Sequence, residues 1–300
     1  MRRLLFILAA AALLLTALPA AAHWNPEDPA KWVQFPDLST TGIDVNATGP
    51  FILADDFLCE ETGLITDIHL WGSWLYDEYP FGEPGAVTFT LSIHADIPAS
   101  VNPDGYSIPG EVLWMKTFYP GEFTVQPWAT DIMEGWLDPP ESYLFPADYT
   151  CWQYNFDIPE SLAFRQLGTS TEPIVYWLDV QAFPEEEGYL FGWKTSLDHW
   201  NDDAVWGQGM EPYLGPWFEL RYPPGHEFYP ESIDLAFVIT TEQQEDADWG
   251  DAPNSSMGYN YPTVLAENGA NHAPSALFMG PTVDVEPDGQ PDPNALGDDN

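Results

Sequence analysis

The stretch VTFTLSIHAD, Val87–Asp96, decides the fold class of this chain. Its apolar and polar residues alternate over ten positions, and side chains of a β-strand point alternately to opposite faces. The pattern predicts a strand with one face on a core and the other in water. The two faces hold Val87, Phe89, Leu91, Ile93 and Ala95, against Thr88, Thr90, Ser92, His94 and Asp96. On this prediction His94 and Asp96 are polar surface, and so is His69, which occupies an outward position of a second strand.

The same alternation recurs along the chain, separated by Pro- and Gly-rich turns and long loops, without a convincing amphipathic helix. About nine short strands of this kind are typical of a sandwich. We therefore predict an all-β fold, an antiparallel β-sandwich resembling a jelly roll. Ala129–Tyr149 is acidic and rich in proline, and we expect it to be loop. The clearest further strands are Phe51–Leu58, Ile65–Leu75, Cys151–Ile158, Ile174–Ala182 and Ser232–Thr240.

The charge of the chain excludes whole classes of partner. Its 300 residues include 48 Asp and Glu against 7 Lys and Arg, a formal net charge of −41. Binding of a nucleic-acid backbone or an anionic membrane requires clustered basic residues, so neither partner is expected. A chain this acidic uses its charge for solubility or binds divalent cations.

The N-terminus predicts export. Arg2 and Arg3 precede an apolar run that ends in a small-residue cleavage site, so residues 1–22 read as a signal peptide. We expect a secreted or cell-surface protein with no membrane insertion after cleavage. In an exported chain the two cysteines, Cys59 and Cys151, suggest a disulfide, with two buried thiols as the alternative.

The remaining chain divides at about Glu242. Residues 23–241 are predicted to form the sandwich, and residues 242–300 an acidic, mostly irregular linker and the start of a second module. This second part lacks Lys and Arg and stops in an acidic Gly/Asp stretch, so we expect the sequence to be a fragment of a longer protein.

The tail contains a candidate calcium loop. Asp284, Glu286, Asp288 and Asp292 stand at positions 1, 3, 5 and 9, with Gly289 at position 6, as in the first part of an EF-hand loop. Position 12 is alanine where an EF-hand has glutamate. The alternative is a solvated acidic loop.

A second candidate lies between predicted strands, in His199-Trp200-Asn201-Asp202-Asp203. The oxygen atoms of Asn201, Asp202 and Asp203, together with the imidazole of His199, suit a cation. The alternative is a turn in which Asn and Asp bond their own backbone. For Asp55-Asp56 the alternatives are likewise a cation site and local hydrogen bonds.

Catalytic motifs are missing from the sequence, which has no GxSxG, HExxH or P-loop pattern. A glycosidase needs only two well-placed carboxyl groups. With 48 acidic residues in the chain, the sequence neither excludes such a pair nor identifies it. Tryptophans near loops are candidates for a sugar-stacking platform, although tryptophan in a sandwich more often packs in the core. They are Trp128, Trp136, Trp200 and Trp206.

Two resemblances to known families follow from longer motifs. The region from Trp32 to about Thr240 resembles an uncharacterised domain of secreted bacterial proteins. This resemblance implies no activity. Its resembling segments are ILADDFLC (Ile52–Cys59), ITDIHLWGSW (Ile65–Trp74), LSIHADIP (Leu91–Pro98), YSIPGEVLW (Tyr106–Trp114), YWLDVQA (Tyr176–Ala182), FGWKTS (Phe191–Ser196), HWNDDAVW (His199–Trp206) and IDLAFVIT (Ile233–Thr240).

The tail resembles a module that precedes GEVED-type domains in large bacterial surface and adhesin-like proteins. The resemblance implies an extracellular, multi-domain, calcium-stabilised protein. It rests on DWGDAP (Asp248–Pro253), YPTVLAENGANH (Tyr261–His272), LFMGPTVDVEPDGQP (Leu277–Pro291) and GDD (Gly297–Asp299).

The function that we expect is a secreted, non-catalytic module for adhesion, structure or carbohydrate binding, stabilised by calcium. Its partners would be polysaccharide or other extracellular proteins. The alternative is a secreted polysaccharide hydrolase that uses an Asp/Glu pair.

Overall fold

The structure, a computed structural model, describes residues 23–240, 248–249 and 271–272, and this part of the chain is almost entirely β. Short 3-10 turns lie at Leu75–Asp77, Pro80–Gly82 and Glu160–Leu162. The strands are β1 (Trp32–Gln34), β2 (Ile43–Asn46), β3 (Phe51–Cys59), β4 (Gly63–Ile65), β5 (Asp67–Trp74), β6 (Val87–Ile97), β7 (Ile108–Phe118), β8 (Thr124–Asp138), β9 (Ser142–Asp157), β10 (Phe164–Gln166), β11 (Ile174–Pro184), β12 (Phe191–Ser196), β13 (Val205–Gln208), β14 (Phe218–Glu219), β15 (Asp234–Leu235), β16 (Phe237–Thr240), β17 (Asp248–Trp249) and β18 (Asn271–His272).

Two large sheets form the sandwich-like fold that the sequence predicted. One has the strand order β1-β16-β5-β9-β8-β2-β12-β15, and the other β14-β13-β3-β11-β6-β7. Most pairings are antiparallel, whereas β2 and β8 run parallel. The described strands outnumber the nine expected, because several are two to four residues long and too short to show an alternation in the sequence.

Five strands of the larger sheet close on themselves. The order β5-β9-β8-β2-β12 is completed by a further pairing of β12 with β5, in which Gly192 lies opposite Ser73. Each of the five strands is therefore hydrogen-bonded to two others of the set. We call this set the five-strand ring. Closure leaves no free edge within it.

Two compact units are distinguished in the chain. The first comprises Met1–Leu58, Ile68–Asp157 and Val175–Val238, and it holds most of both large sheets. The second comprises Cys59–Asp67, Ile158–Ile174 and Ile239–Asn300. In the second unit β4 pairs antiparallel with β10, and separately β17 pairs antiparallel with β18.

The core of the first unit is aromatic. Phe89 of β6 lies 5.3 Å from the rings of Tyr154 and Phe156 on β9, and 5.0 Å from that of Phe191 on β12. All four residues are fully buried. Edge-to-face contacts of this kind favour one packing arrangement over others. The apolar face of the opening strand thus contacts the core, as the alternation predicted.

The opposite face of β6 is not in water, so this part of the prediction was wrong. Ser92 and His94 are fully buried. The segment after β13 covers them, because the ring of Trp217 lies edge-on to that of His94 at 6.2 Å. Alternation showed which residues share a face of the strand, but not that a loop distant in sequence covers the polar face.

The prediction of a loop over Ala129–Tyr149 was also wrong. Most of this segment belongs to β8 and β9, which pair antiparallel over their length with several register shifts. Glu134 pairs with Asp148, and both are fully buried. Acidic residues in a segment normally indicate exposure, and here tertiary pairing overrides that preference.

Several predictions lie outside the described residues. They concern the signal peptide of residues 1–22, most of the acidic part over residues 242–300 and the tail module. The described residues contain no helix that is both long and apolar enough to span a membrane.

Candidate metal site

The loop that follows β12 packs onto three strands of the first unit. The backbone N–H of Trp200 donates to Asp234 Oδ2 on β15 at 3.0 Å, and Asn201 Nδ2 donates to Asp56 Oδ2 on β3 at 2.5 Å. Asn201 has a φ of 54°, a left-handed conformation that asparagine tolerates better than most residues. The predicted loop candidates are thereby brought against Asp56 and Asp234.

His199, Asp203 and Asp234 form a compact set of ligand-type groups. His199 Nδ1 lies 3.2 Å from Asp234 Oδ2 and 3.6 Å from Asp203 Oδ1. One ligand atom from each residue lies within 4.8 Å of the other two. The His199 side chain is 44% exposed and that of Asp234 only 1%, so the set reaches from solvent into the protein.

Asp55 and Asp56 have different surroundings although both are buried. Asp55 accepts hydrogen bonds from Leu235 N (2.6 Å), Gln34 Nε2 (3.0 Å) and Asp56 N (2.8 Å). Its carboxylate is therefore satisfied and ties β3 to β1 and β15. Asp56 Oδ1, by contrast, is buried without a hydrogen-bond partner, as is Asp234 Oδ1.

Two further aspartates complete a group that we call the aspartate cluster: Asp55, Asp56, Asp96, Asp202, Asp203 and Asp234. Asp202 Oδ2 accepts hydrogen bonds from both the backbone N–H and the hydroxyl of Ser107. Asp96 Oδ1 accepts from Trp177 Nε1 at 2.9 Å. Asp96, which the sequence assigned to polar surface, is half-buried and part of this cluster.

Burial and mutual repulsion raise the pKa values of four members of the cluster, Asp55, Asp56, Asp96 and Asp234. Burial, with smaller contributions from Asp234, Asp96 and Asp202, raises the pKa of Asp56 to about 9. Burial also raises the pKa of Asp234 to about 7, with His199 acting to lower it and Asp203 to raise it. Near neutral pH these carboxyl groups retain protons that a bound divalent cation would displace.

The other predicted site residues have different outcomes. The calcium candidates Asp284, Glu286, Asp288 and Asp292 lie outside the described residues.

The structure shows no disulfide between Cys59 and Cys151. Cys59 ends β3 and its Sγ donates to the Glu61 carbonyl at 3.0 Å, while Cys151 is buried within β9 of the other large sheet. Both cysteines are buried thiols, which was the alternative that the sequence left open.

The four tryptophans do not form one platform. Trp128 packs against Trp71, Trp200 against Trp32 and Trp206 against Phe218, with centroid distances of 5.0–5.2 Å. Trp136 is 2% exposed.

An open cleft of about 350 Å³ lies elsewhere in the first unit. Its lining combines aromatic and polar side chains with a single carboxylate, that of Glu227. The lining residues are Thr40, Thr41, Met133, Tyr143, Phe145, Gly225, His226 and Glu227. The cleft does not bring together the two carboxyl groups that a glycosidase needs.

His94, which was expected on the polar surface, belongs to a buried hydrogen-bonded network. Its Nε2–H donates to Asp179 Oδ2 at 2.6 Å and its Nδ1–H to the Gly110 carbonyl at 3.0 Å. Burial lowers the pKa of His94, but the hydrogen bond and the charge of Asp179 outweigh this effect and raise the pKa. His69 is on β5 of the other large sheet, where its Nδ1 contacts Asn155 Oδ1 at 2.8 Å.

Glu211 adds a second carboxyl group to this network. Its Oε2 accepts from Tyr213 N at 2.8 Å, and it shares a hydrogen bond with Asp179. Burial and the Asp179 charge raise the pKa of Glu211 to about 8 from its usual 4.5, against a smaller opposing effect of His94. Glu211 therefore retains a proton near neutral pH, next to Asp179 and His94.

This pKa predicts a pH-dependent stability. The native state binds the Glu211 proton more tightly than the unfolded state does, so its stabilising contribution is lost as pH rises from about 4.5 through about 8. Relative to Glu211→Gln, the wild type should lose on the order of 2 kcal/mol of unfolding free energy between pH 5 and pH 9. Urea denaturation of both proteins across this range measures the difference. A constant difference would contradict the raised pKa of Glu211.

Comparison with known protein families identifies the family of this chain. Residues 30–240 match the family described as domain of unknown function (DUF7901), and the chain belongs to this family. The resemblance to an uncharacterised domain is thereby confirmed over the region that carried it. No curated protein and no solved structure matches the chain.

Proposed function

We propose that this chain is a secreted, non-catalytic extracellular module for adhesion or carbohydrate binding, and that a calcium ion at the aspartate cluster stabilises it. The observation that carries the proposal is the convergence of six aspartates from β3, β6, β15 and the loop after β12. Two of their oxygens, Asp56 Oδ1 and Asp234 Oδ1, are buried without partners. A buried carboxylate oxygen without a donor is costly, and a cation would remove that cost.

The donor set fits a hard cation. Calcium takes six to eight oxygen ligands and tolerates irregular geometry. Asp56, Asp203 and Asp234, with the amide oxygen of Asn201, would supply such oxygens. His199 is the one nitrogen ligand present, and a first-row transition metal is the alternative that it offers.

The remaining features support an extracellular, non-catalytic role. The sequence of residues 1–22 has the pattern of a secretory leader. The net charge of −41 suits an environment rich in divalent cations. The strongly buried carboxyl groups lie in the core, where a polymeric substrate does not reach them.

Calcium should raise the melting temperature of the purified, chelator-treated chain. At a hundredfold excess over Kd the stabilisation is about 2.7 kcal/mol, which corresponds to roughly 5–10 °C for a domain of this size. Asp56→Asn and Asp234→Asn should abolish most of the shift, because each removes a ligand charge. Asp104→Asn, at an exposed position, should leave it intact.

Two results would contradict this assignment. If Asp288→Asn rather than Asp56→Asn abolishes the calcium shift, the ion belongs to the tail loop. If zinc alone stabilises the chain and His199→Ala removes that effect, the cation is not calcium. Release of reducing sugar from a polysaccharide panel would overturn the non-catalytic part of the proposal.

A further inference from the structure

Lys194 is a buried lysine in a chain that has few lysines. The sequence holds three lysines, and Lys194 is 0% exposed, in the middle of β12. In the antiparallel pairing of β12 with β2 it lies directly opposite Asp44. Its Nζ is 3.2 Å from Asp44 Oδ2, and both side chains are completely buried.

Each of the other four strands of the five-strand ring contributes one polar side chain to the surroundings of this ammonium. Glu134 of β8 contacts Lys194 Nζ through Oε1, and Ser73 of β5 donates to Glu134 Oε2 at 3.0 Å. Asp148 of β9 lies opposite Glu134. Oxygens of Asp44, Glu134 and Asp148 lie within 4.8 Å of one another.

One ammonium does not satisfy three buried carboxyl groups. Asp44 Oδ1 and both carboxyl oxygens of Asp148 are buried without hydrogen-bond partners in the described part of the chain. A simple ion pair that leaves acceptors unpaired in a dry interior is unfavourable. The Lys194 ammonium contacts two of the three carboxyl groups, those of Asp44 and Glu134.

The same arrangement brings an amine and a carboxyl group together where water is excluded and a third group can move protons. Proximity in a fixed geometry accelerates condensation strongly, and enclosure disfavours hydrolysis of the product. Glu134, held by Ser73, contacts the nitrogen and is placed for proton transfer.

We propose that Lys194 and Asp44 form an intramolecular amide bond between β12 and β2. The Lys194 ammonium passes one proton to the Asp44 carboxylate, and the neutral Nζ attacks Asp44 Cγ. The N–C bond forms and the C–OH bond breaks. Glu134 relays the second proton from the nitrogen to the departing oxygen, which leaves as water. The ion pair becomes an amide and one water, with no oxidant, reductant or co-reactant.

Burial favours the neutral forms of Lys194 and Asp44, whereas their mutual attraction favours the ion pair from which the step starts. Burial raises the pKa of Asp44 to about 8, with Lys194 opposing and Glu134 adding to the rise. Burial and the charges of Asp44 and Glu134 raise the pKa of Asp148 to about 11, so Asp148 is a neutral acid. Burial lowers the pKa of Lys194, but the charges of Asp44 and Glu134 outweigh it and raise the pKa.

Intact mass spectrometry of the denatured wild-type chain tests the proposal directly. The expected mass is one water below that of the mature sequence. Tandem spectra of a digest should show a branched peptide that joins the Lys194 and Asp44 segments. Asp44→Ala and Lys194→Met should restore the full mass, and Glu134→Gln should slow the loss. Lys116→Met, away from the cluster, should retain the one-water loss.

The digest of the wild-type chain tests for the amide bond even where a variant does not fold. A full-mass wild-type chain after prolonged incubation in the folded state overturns the proposal. So does a water loss that fragmentation places on residues other than Lys194 and Asp44, including a branch from Lys194 to Glu134 or Asp148.

Discussion

Replacing Lys194 with methionine is expected to cost about 3–5 kcal/mol of unfolding free energy, since removal of one partner of a buried ionic group leaves the others uncompensated. Methionine preserves most of the volume but removes the positive charge. Asp44 and Glu134 would then face each other in the five-strand ring with no counter-charge. If the proposed amide bond has formed, Lys194 and Asp44 carry no charge, and the substitution then removes a covalent cross-link in place of the ion pair. Urea denaturation measures the change from the shift in midpoint at constant slope.

Two comparisons isolate the charge as the cause. Lys116→Met, on a half-buried side chain, should change stability by no more than about 0.5 kcal/mol. Adding Glu134→Gln and Asp44→Asn to Lys194→Met should recover part of the loss, because neutral amides carry no unpaired charge. A Lys194→Met protein as stable as the wild type would show that Lys194 is not the counter-charge of the ring.

Replacing Phe89 with alanine is expected to cost about 3–5 kcal/mol, the usual range for truncating a buried aromatic ring. Phe89 is fully buried and contacts four other rings at centroid distances of 5.0–5.4 Å. They belong to Phe123, Tyr154, Phe156 and Phe191. The cavity would open in the centre of the aromatic core, where strands of both large sheets limit its collapse.

Phe81→Ala is the matched control for this truncation. Phe81 is 69% exposed, so it should lose less than about 1 kcal/mol. Phe89→Leu should be intermediate, since it fills part of the cavity. A similar small effect at both phenylalanines would mean that the core does not depend on Phe89.

The proposed cation and the proposed amide bond would stabilise different parts of the first unit. The aspartate cluster joins the loop after β12 to β3, β6 and β15. The Lys194 site joins β12 to β2 within the five-strand ring. Chelation should therefore affect the melting temperature but not the mass, and the two effects are separable in one preparation.

The loop His199–Asp203 was identified in the sequence because Asn and Asp cluster there between two strands. The sequence did not predict that Asp56 and Asp234 contact this loop, because they lie more than thirty residues away from it along the chain. The spacing of ligands in sequence is informative only when they share one loop, as in the tail candidate. A site assembled from separate strands has no such spacing.

The sequence by itself determined the all-β class and the membership of each strand face, because alternation depends on backbone geometry alone. It also determined the acidic character, from which we expect no polyanionic partner. The pattern in Val87–Asp96 correctly paired Phe89 with the core.

Only the tertiary structure decided what covers the polar face of each strand. His94 was expected in water and is buried beside Asp179, while Glu134 was expected in a loop and lies inside the five-strand ring. Polar residues in a strand have the same local pattern whether water or a buried partner satisfies them. Which of the two applies depends on contacts between residues far apart in sequence, and those contacts exist only in the folded chain.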